Sequence, residues 1–359
     1  MTDLNQQVII AMEFQKKEIK MMQEKLRIGV VNWDAALPND KYMGNFMITA
    51  LGKPQHANRL PYYAIKKDDD KYEIPIRTQD DYDKELAMAA DAGIDFFMYC
   101  WYSEGTEKDP QVGVEKFSAI VQHLPWLNTM RKLYQKSPLN KRINMCAILI
   151  GGHAYSKEDI LLLVDAMKQD YYEKKDGRPL LFFFGGYRPK FFSQVREIIN
   201  QEGLNPYIVF LHNGLLSENG DYSEADAVGA YGSGHGAKNF EELTEATEKD
   251  NQEKKQFGLP IIPLLSAGWD PTPRIDTPCP WFSYPRQEYS PAPTDDQMEK
   301  ATLKLFKWIE KTPEANTGYA TVFAWNEFEE GGYICPTLKE DGKPCTDILD
   351  GLARALKTR

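Results

Sequence analysis

The sequence predicts the α/β class and, within it, a single (β/α)8 TIM barrel with elaborated βα loops on the face where the strands end. Three observations carry this expectation. Eight short apolar runs recur along the chain, amphipathic stretches separate most of them, and nearly every run ends in an aromatic or hydrogen-bonding residue. The runs are IGVVNW (28–33), IDFFMYCW (94–101), INMCAILI (143–150), LLFFF (180–184), YIVFLH (207–212), DAVGAY (226–231), IIPLL (261–265) and YATVFAWN (319–326). Each is close to continuous in apolar residues rather than alternating, as parallel strands buried on both faces require.

Helical patterns fall between the runs. Asp80 opens one that stops at Gly93, and Ser156 opens another with the Ser and later acid of a capping box. Further helices are expected at 190–202, 239–256, 296–311 and 345–357, the highly charged 239–256 as a solvated outer helix. An open doubly wound sheet would show a Gly-rich phosphate turn after the first strand, and DAALPND stands there instead. Two connections are too long for ordinary βα loops: 34–79, with its charge run KKDDDKYE, and 268–295, with seven prolines. Both are read as loops over the strand ends. Residues 1–26 are expected to form an N-terminal helical extension, and 27–359 the barrel.

Composition excludes several function classes. The chain of 359 residues carries 43 basic and 53 acidic side chains, a net charge of −10, which disfavours nucleic acid or an anionic membrane as partner. Mean hydropathy is −0.53, and no apolar run reaches the length of a membrane span. The first 26 residues lack the apolar core and cleavage site of a signal peptide. The expectation is a cytoplasmic protein, or a periplasmic or cell-surface one whose leader has been removed. Five scattered cysteines without a CxxC read as mostly buried thiols, with only Cys335 and Cys345 close enough for a local bridge. Five histidines without HxH or HExxH argue against a metal-dependent hydrolase, so no metal and no cofactor are expected. Gly-Ser-Gly-His at 232–235 lacks the GxSxG spacing of a nucleophile elbow.

In such a barrel the chemistry gathers at the C-terminal ends of the strands. Those ends read Trp33-Asp34, Trp101-Tyr102, Gly151-Gly152-His153, Gly185-Gly186-Tyr187-Arg188, His212-Asn213, Tyr231, Gly268-Trp269-Asp270 and Trp325-Asn326-Glu327. Aromatic rings to stack on C–H faces, mixed with groups that bond hydroxyls, suit a sugar. The same aromatics would equally serve to close the barrel. Candidate substrate-binding residues are Trp33, Asp34, Trp101, Tyr102, His153, His212, Trp269, Asp270, Arg274, Trp325, Asn326 and Tyr333. Asp270 bonds a hydroxyl or pairs with Arg274; Asn326 orients Glu327 or binds a hydroxyl.

The segment WNEFEEGGY (325–333) places three carboxylates within four positions at a strand end. Glycoside cleavage needs two carboxyl groups around one bond. Positions i and i+3 of an extended strand face opposite ways, about 10 Å apart. The chain must therefore bend after Glu327 for Glu327 and Glu330 to meet, and Gly331-Gly332 permits such a turn. Glu329 is the odd member, expected to face solvent or a structural Arg.

These residues resemble the glycoside hydrolase family 99-like and WbsX-like (β/α)8 proteins of bacterial carbohydrate gene clusters. Ala324-Trp325-Asn326-Glu327-Phe328-Glu329-Glu330-Gly331 is similar to the family's Asn-Glu-aromatic-x-Glu-Gly. Ala92-Gly93-Ile94-Asp95 leading into Tyr99-Cys100-Trp101-Tyr102, and Gly268-Trp269-Asp270 followed by Pro273-Arg274, support it, so the likeness spans residues 28–345. The resemblance implies a retaining endo-α-mannosidase-like hydrolase. Glu327 would act as base on the substrate's 2-hydroxyl, giving a 1,2-anhydro sugar, and Glu330 would protonate the leaving oxygen and then activate water. Where the well-studied hydrolases have Trp-His between the glutamates, Phe328-Glu329 stand here. The expected partner is an oligosaccharide or polysaccharide. A WbsX-like glycosyltransferase of polysaccharide biosynthesis and a non-catalytic glycan-binding barrel are the alternatives, and no DxD motif favours the transferase.

Overall fold

The computed structural model describes residues 25–33, 44–68, 71–103, 111–112, 128–150, 155–185, 187–212, 221–278 and 283–359. Eight parallel strands form the core: β1 Arg27–Asn32, β2 Phe96–Trp101, β3 Asn144–Ile150, β4 Arg178–Phe184, β5 Tyr207–His212, β6 Ala227–Ala230, β7 Leu264–Ser266 and β8 Tyr319–Phe323. Each pairs in parallel with its sequence neighbour, and β8 returns to β1 with Val30 opposite Val322. Between β6 and β7 the ring is closed by a single bridge, Val228 to Ile261, with Val228 N bonded to Pro260 O and Ile262 N to Val228 O, both at 2.9 Å. The chain is a (β/α)8 barrel. The run expected at 261–265 thus starts as this bridge and becomes strand only at Leu264.

Helices wrap the outside: α1 Gln79–Asp91, α2 Thr129–Lys136, α3 Lys157–Met167, α4 Pro189–Gln201, α5 Phe240–Glu253, α6 Asp295–Glu310 and α7 Asp347–Leu356. Ser156 and Asp159 make the capping box expected at α3. The start expected at Asp80 moves to Thr78, whose hydroxyl accepts from Asp81 N while the Asp81 side chain reaches back. The charged helix α5 is solvated on one face only. It buries Phe240, Leu243, Thr247 and Asn251. The Asn251 amide bonds Leu264 O at 2.8 Å and Leu264 N at 2.9 Å, supplying to β7 the partners that its bridge to β6 does not.

The long connection after β1 holds a helix, Gly44–Leu51, a 3-10 turn, Pro54–Arg59, and a hairpin of Ile65–Asp68 with Lys71–Glu73. The connection after β7 holds a short helix, Thr272–Asp276. Cys100, Cys146, Cys335 and Cys345 are free thiols, so Cys335 and Cys345 form no bridge. The N-terminal extension as far as residue 24, Asp34, His153 and Cys279 lie outside the described residues.

Candidate active site

The bend required after Glu327 is a 3-10 turn, Phe328–Glu330, with Glu327 as its N-terminal cap. A 3-10 turn repeats every three residues, so the side chains of Glu327 and Glu330 fall one above the other. Gly331 ends the turn at φ 74°, and Glu330 O accepts from Asp270 N at 2.7 Å. A Cβ on Gly331 would lie 2.6 Å from Asp270 N, so this close approach of two backbones requires glycine. The chain then returns antiparallel, with Asn326 opposite Tyr333 and Glu327 opposite Gly332.

Glu327 and Glu330 are only 4% and 8% exposed. One guanidinium bridges them. Arg274 donates through one nitrogen to Glu330 Oε1 and lies 3.4 Å from Glu327 Oε2 through the other. Tyr284 donates to the same Glu330 oxygen at 2.5 Å and accepts from Arg274 at 3.2 Å. Tyr231, at the end of β6, donates to Glu327 Oε1 at 2.9 Å and stacks on Phe184 with ring centres 4.4 Å apart. Burial raises both phenols, so each is a donor at working pH. Burial is also the largest cause pushing the Glu327 carboxyl up, to about 8. The charges of Glu330 and Glu329 add to it, and Arg274 and the Tyr231 hydrogen bond oppose it.

Arg274 is held from both ends of its short helix, by Lys53, His56 and Arg59 of the connection after β1 and by Arg286 of its own loop. Arg59 donates to Asp270 O at 2.7 Å and to the Asp270 carboxylate. Lys53 donates to Asp276 O at 2.6 Å, while His56 and Arg286 each lie 2.9 Å from an Asp276 carboxylate oxygen. Asp270 therefore pairs with Arg59 and not with Arg274, whose charge is taken by the glutamates.

The Trp33 ring lies 5.2 Å from the Arg274 guanidinium and donates through Nε1 to Tyr102 OH at 2.8 Å. Trp269 packs 6.3 Å from Tyr284 and 4.2 Å from His235. Tyr333 is buried behind the turn, its ring 5.3 Å from Phe328. The Asn326 amide is occupied by the backbone of Trp33, accepting from its N–H at 2.8 Å and donating to its carbonyl at 3.1 Å. It ties β1 to the strand-eight segment and does not bond Glu327.

Three expected residues are not brought to this cluster. Trp101 lies under Arg131 of α2, with the guanidinium 3.5 Å from its ring. Trp325 donates to Glu85 of α1 at 2.7 Å. His212 packs on Phe210 and on Phe257 of the turn after α5. All three face the helix layer. Glu329 faces neither solvent nor an Arg hydrogen bond. It is fully buried, neither oxygen has a hydrogen-bond partner among the described residues, and burial pushes its carboxyl up. Sequence reasoning missed Tyr231 and Tyr284 as site residues. Tyr231 stood at a strand end like Trp33, which was a usable signal; Tyr284 lies inside a proline-rich loop and carried none.

Among the described residues no group of three or more His, Cys, Asp or Glu is placed to hold a metal ion. No family model matches the sequence, and no curated protein matches it. Solved structures do match. One is the GH99 endo-α-mannosidase from Bacteroides thetaiotaomicron in complex with bis-tris-propane, at 16% identity and a TM-score of 0.57, covering 92% of this chain and 95% of that one. Another structure of the GH99 endo-α-mannosidase from that organism matches at 15% identity and a TM-score of 0.54, covering 92% and 96%. At these identities what the chain shares with them is the (β/α)8 fold over nearly its whole length.

Proposed function

We propose that this chain is a glycoside hydrolase that cleaves an α-linked glycan with Glu327 and Glu330 as its carboxyl pair. The observation that carries the reading is the pair itself: two buried carboxyl groups, one above the other on a tight turn at the end of β8, bridged by one guanidinium. Hydrolysis of a glycoside needs one carboxyl to give a proton to the leaving oxygen and a second to act as base or nucleophile. The rings of Trp33, Tyr102, Trp269 and Tyr284 adjoin the pair and offer faces for sugar C–H groups. Trp33, Tyr102 and Trp269 are proposed as substrate-binding residues.

A manno-configured substrate, endo-acting cleavage and retention through a 1,2-anhydro sugar form the finer part of this reading. The likeness of the strand-eight segment to the family 99 pattern supports it. In an α-mannoside O2 and the leaving O1 are trans-diaxial, so O2 displaces O1 from behind once a base takes its proton. The test is a reducing-end and chromatographic assay on α-mannans and other glycans, with Glu330→Gln beside the wild type. Oligosaccharides released by the wild type alone are expected, and product size reports the endo mode. Equal release by both proteins would overturn the reading.

A further inference from the structure

We propose that His235 is a substrate-binding residue: its imidazole hydrogen-bonds a hydroxyl of the sugar on the leaving-group side of the scissile bond, so that the chain prefers substrates carrying a sugar there. The proposal rests on the hydrolase reading above, with Glu330 as the acid at the leaving oxygen.

The argument starts at the segment that leaves β6. Tyr231 donates to Glu327 at 2.9 Å, and Gly-Ser-Gly-His follows it directly. Gly234 stands at φ 81°, where any other residue is strained, and Ala237 N donates to Gly234 O at 3.0 Å. This turn brings His235 beside Trp269, with ring centres 4.2 Å apart and planes 83° to one another. Trp269 lies 6.3 Å from the Tyr284 ring, and the Tyr284 hydroxyl donates to Glu330 at 2.5 Å. Trp269 and Tyr284 thus link His235 to the Glu330 side of the carboxyl pair.

The ring is held in place, yet its nitrogens are unused. Gln287 donates to His235 O at 3.2 Å, and Lys238 Nζ lies 3.4 Å from the Glu288 carboxylate, so the loop after β6 is tied to the loop after β7 on both sides of His235. Trp269 is fixed in turn by a bridge to Ser290 and by packing 5.7 Å from the Phe323 ring of β8. His235 itself is exposed, and neither ring nitrogen has a hydrogen-bond partner among the described residues. The other described histidines differ. His56 bonds Asp276 at 2.9 Å, and His212 buries its Nε2 where it packs on Phe257.

A sugar hydroxyl both gives and takes a hydrogen bond. A neutral imidazole matches it, with one nitrogen donating and the other accepting. Desolvation pushes the His235 imidazole below its ordinary value, against the charges of Glu330 and Asp250, so the neutral form prevails at neutral pH. A ring already immobilised between two loops gives up little freedom when it binds.

The test compares substrates with and without the sugar in question. An α-linked mannotetraose carries it, whereas the α-fluorides of mannose and mannobiose have fluoride in its place. His235→Ala should lower kcat/KM about five- to tenfold on the tetraose, through KM with kcat little changed, and by less than about twofold on the fluorides. His235→Gln, whose amide also gives and takes a hydrogen bond, should recover most of the loss. His235→Phe, which keeps a ring against Trp269, should lose as much as His235→Ala. An equal effect on tetraose and fluorides, or a Phe variant that matches the wild type, would overturn the proposal and leave the hydrolase standing. Lower thermal stability in all three variants would assign the residue to the fold and overturn it as well. A wild type that cleaves neither kind of substrate would sink the hydrolase reading, and titration calorimetry with the tetraose would then decide on His235. Binding weakened about fivefold or more in His235→Ala and restored in His235→Gln would keep the contact; equal or absent binding would overturn it.

Discussion

The two ends of the barrel each bury glutamate, and they treat it in opposite ways. At the N-terminal end Glu173, 2% exposed, has four donors: Arg27 twice at 2.6 Å, Asn144 at 2.8 Å and Tyr319 at 2.9 Å. These come from the first residues of β1, β3 and β8, so one carboxylate ties three strands together at their start. Beside it Asp95 accepts from Ile28 N at 2.8 Å and from Arg359. At the C-terminal end Glu327 and Glu330 share one arginine, and the Glu329 carboxyl has no hydrogen bond among the described residues. A buried carboxylate with a full set of donors holds structure, whereas one left short of donors holds a proton instead of a charge. The difference teaches where to look for chemistry: the end where the electrostatics are incomplete.

The sharpest way to break this comparison is to remove one carboxyl at each end. Glu327→Gln should lower turnover by about 10²–10⁴-fold without lowering thermal stability, and Glu330→Gln should lower turnover as far. Glu173→Ala should lower stability by about 3 kcal/mol, because it strands Arg27, Asn144 and Tyr319, and should leave kcat at room temperature unchanged. Denaturant melts and initial rates on the same preparations check both, and a crossed result would dissolve the contrast.

Smaller effects sharpen it. Glu329→Met removes a carboxyl that burial leaves without a partner and pushes up, so a gain of about 1–3 kcal/mol is expected in urea unfolding at alkaline pH. The pH dependence has a definite sign. Glu327 and Glu329 are raised in the folded state, so there they hold protons that the unfolded chain releases above about pH 4.3. Stability from these groups is therefore greatest below that pH and declines as pH rises toward about 8, the folded value for Glu327. Thermal melts between these limits should show the decline, and Glu327→Gln should flatten it. The smallest change is Tyr231→Phe. Its hydroxyl stabilises ionised Glu327, so its loss should move the limb of the kcat/KM profile that reports Glu327 to higher pH, read by rates across the neutral range.

Much of this molecule was legible before its structure. The eight apolar runs all became barrel strands or their closing bridge, because a strand buried on both faces must be apolar throughout. The pairing of Glu327 with Glu330 followed from their spacing of three once a bend was required. The faces of the strands were not legible. In a continuous apolar run nothing distinguishes a residue pointing into the barrel from one pointing at the helices. Trp101 and Trp325 stand at strand ends as Trp33 does, yet register turns Trp101 to Arg131 and Trp325 to Glu85.

The charge partners were equally hidden. Arg274 lies 56 residues before Glu330 and 53 before Glu327, and Tyr231 lies 96 before Glu327. Contacts over such separations depend on how loops from different strands pack, which local pattern does not encode. By itself the sequence determined the strand count, the helix caps and the carboxyl-rich turn, since each follows from burial or spacing within a few residues. Only the tertiary structure decided which aromatics face the site, that Asp270 pairs with Arg59, that Glu329 is buried, and that one arginine leans toward one glutamate of two. Those outcomes are set by barrel register and by loop-to-loop packing, where residues distant in the chain compete for the same charge.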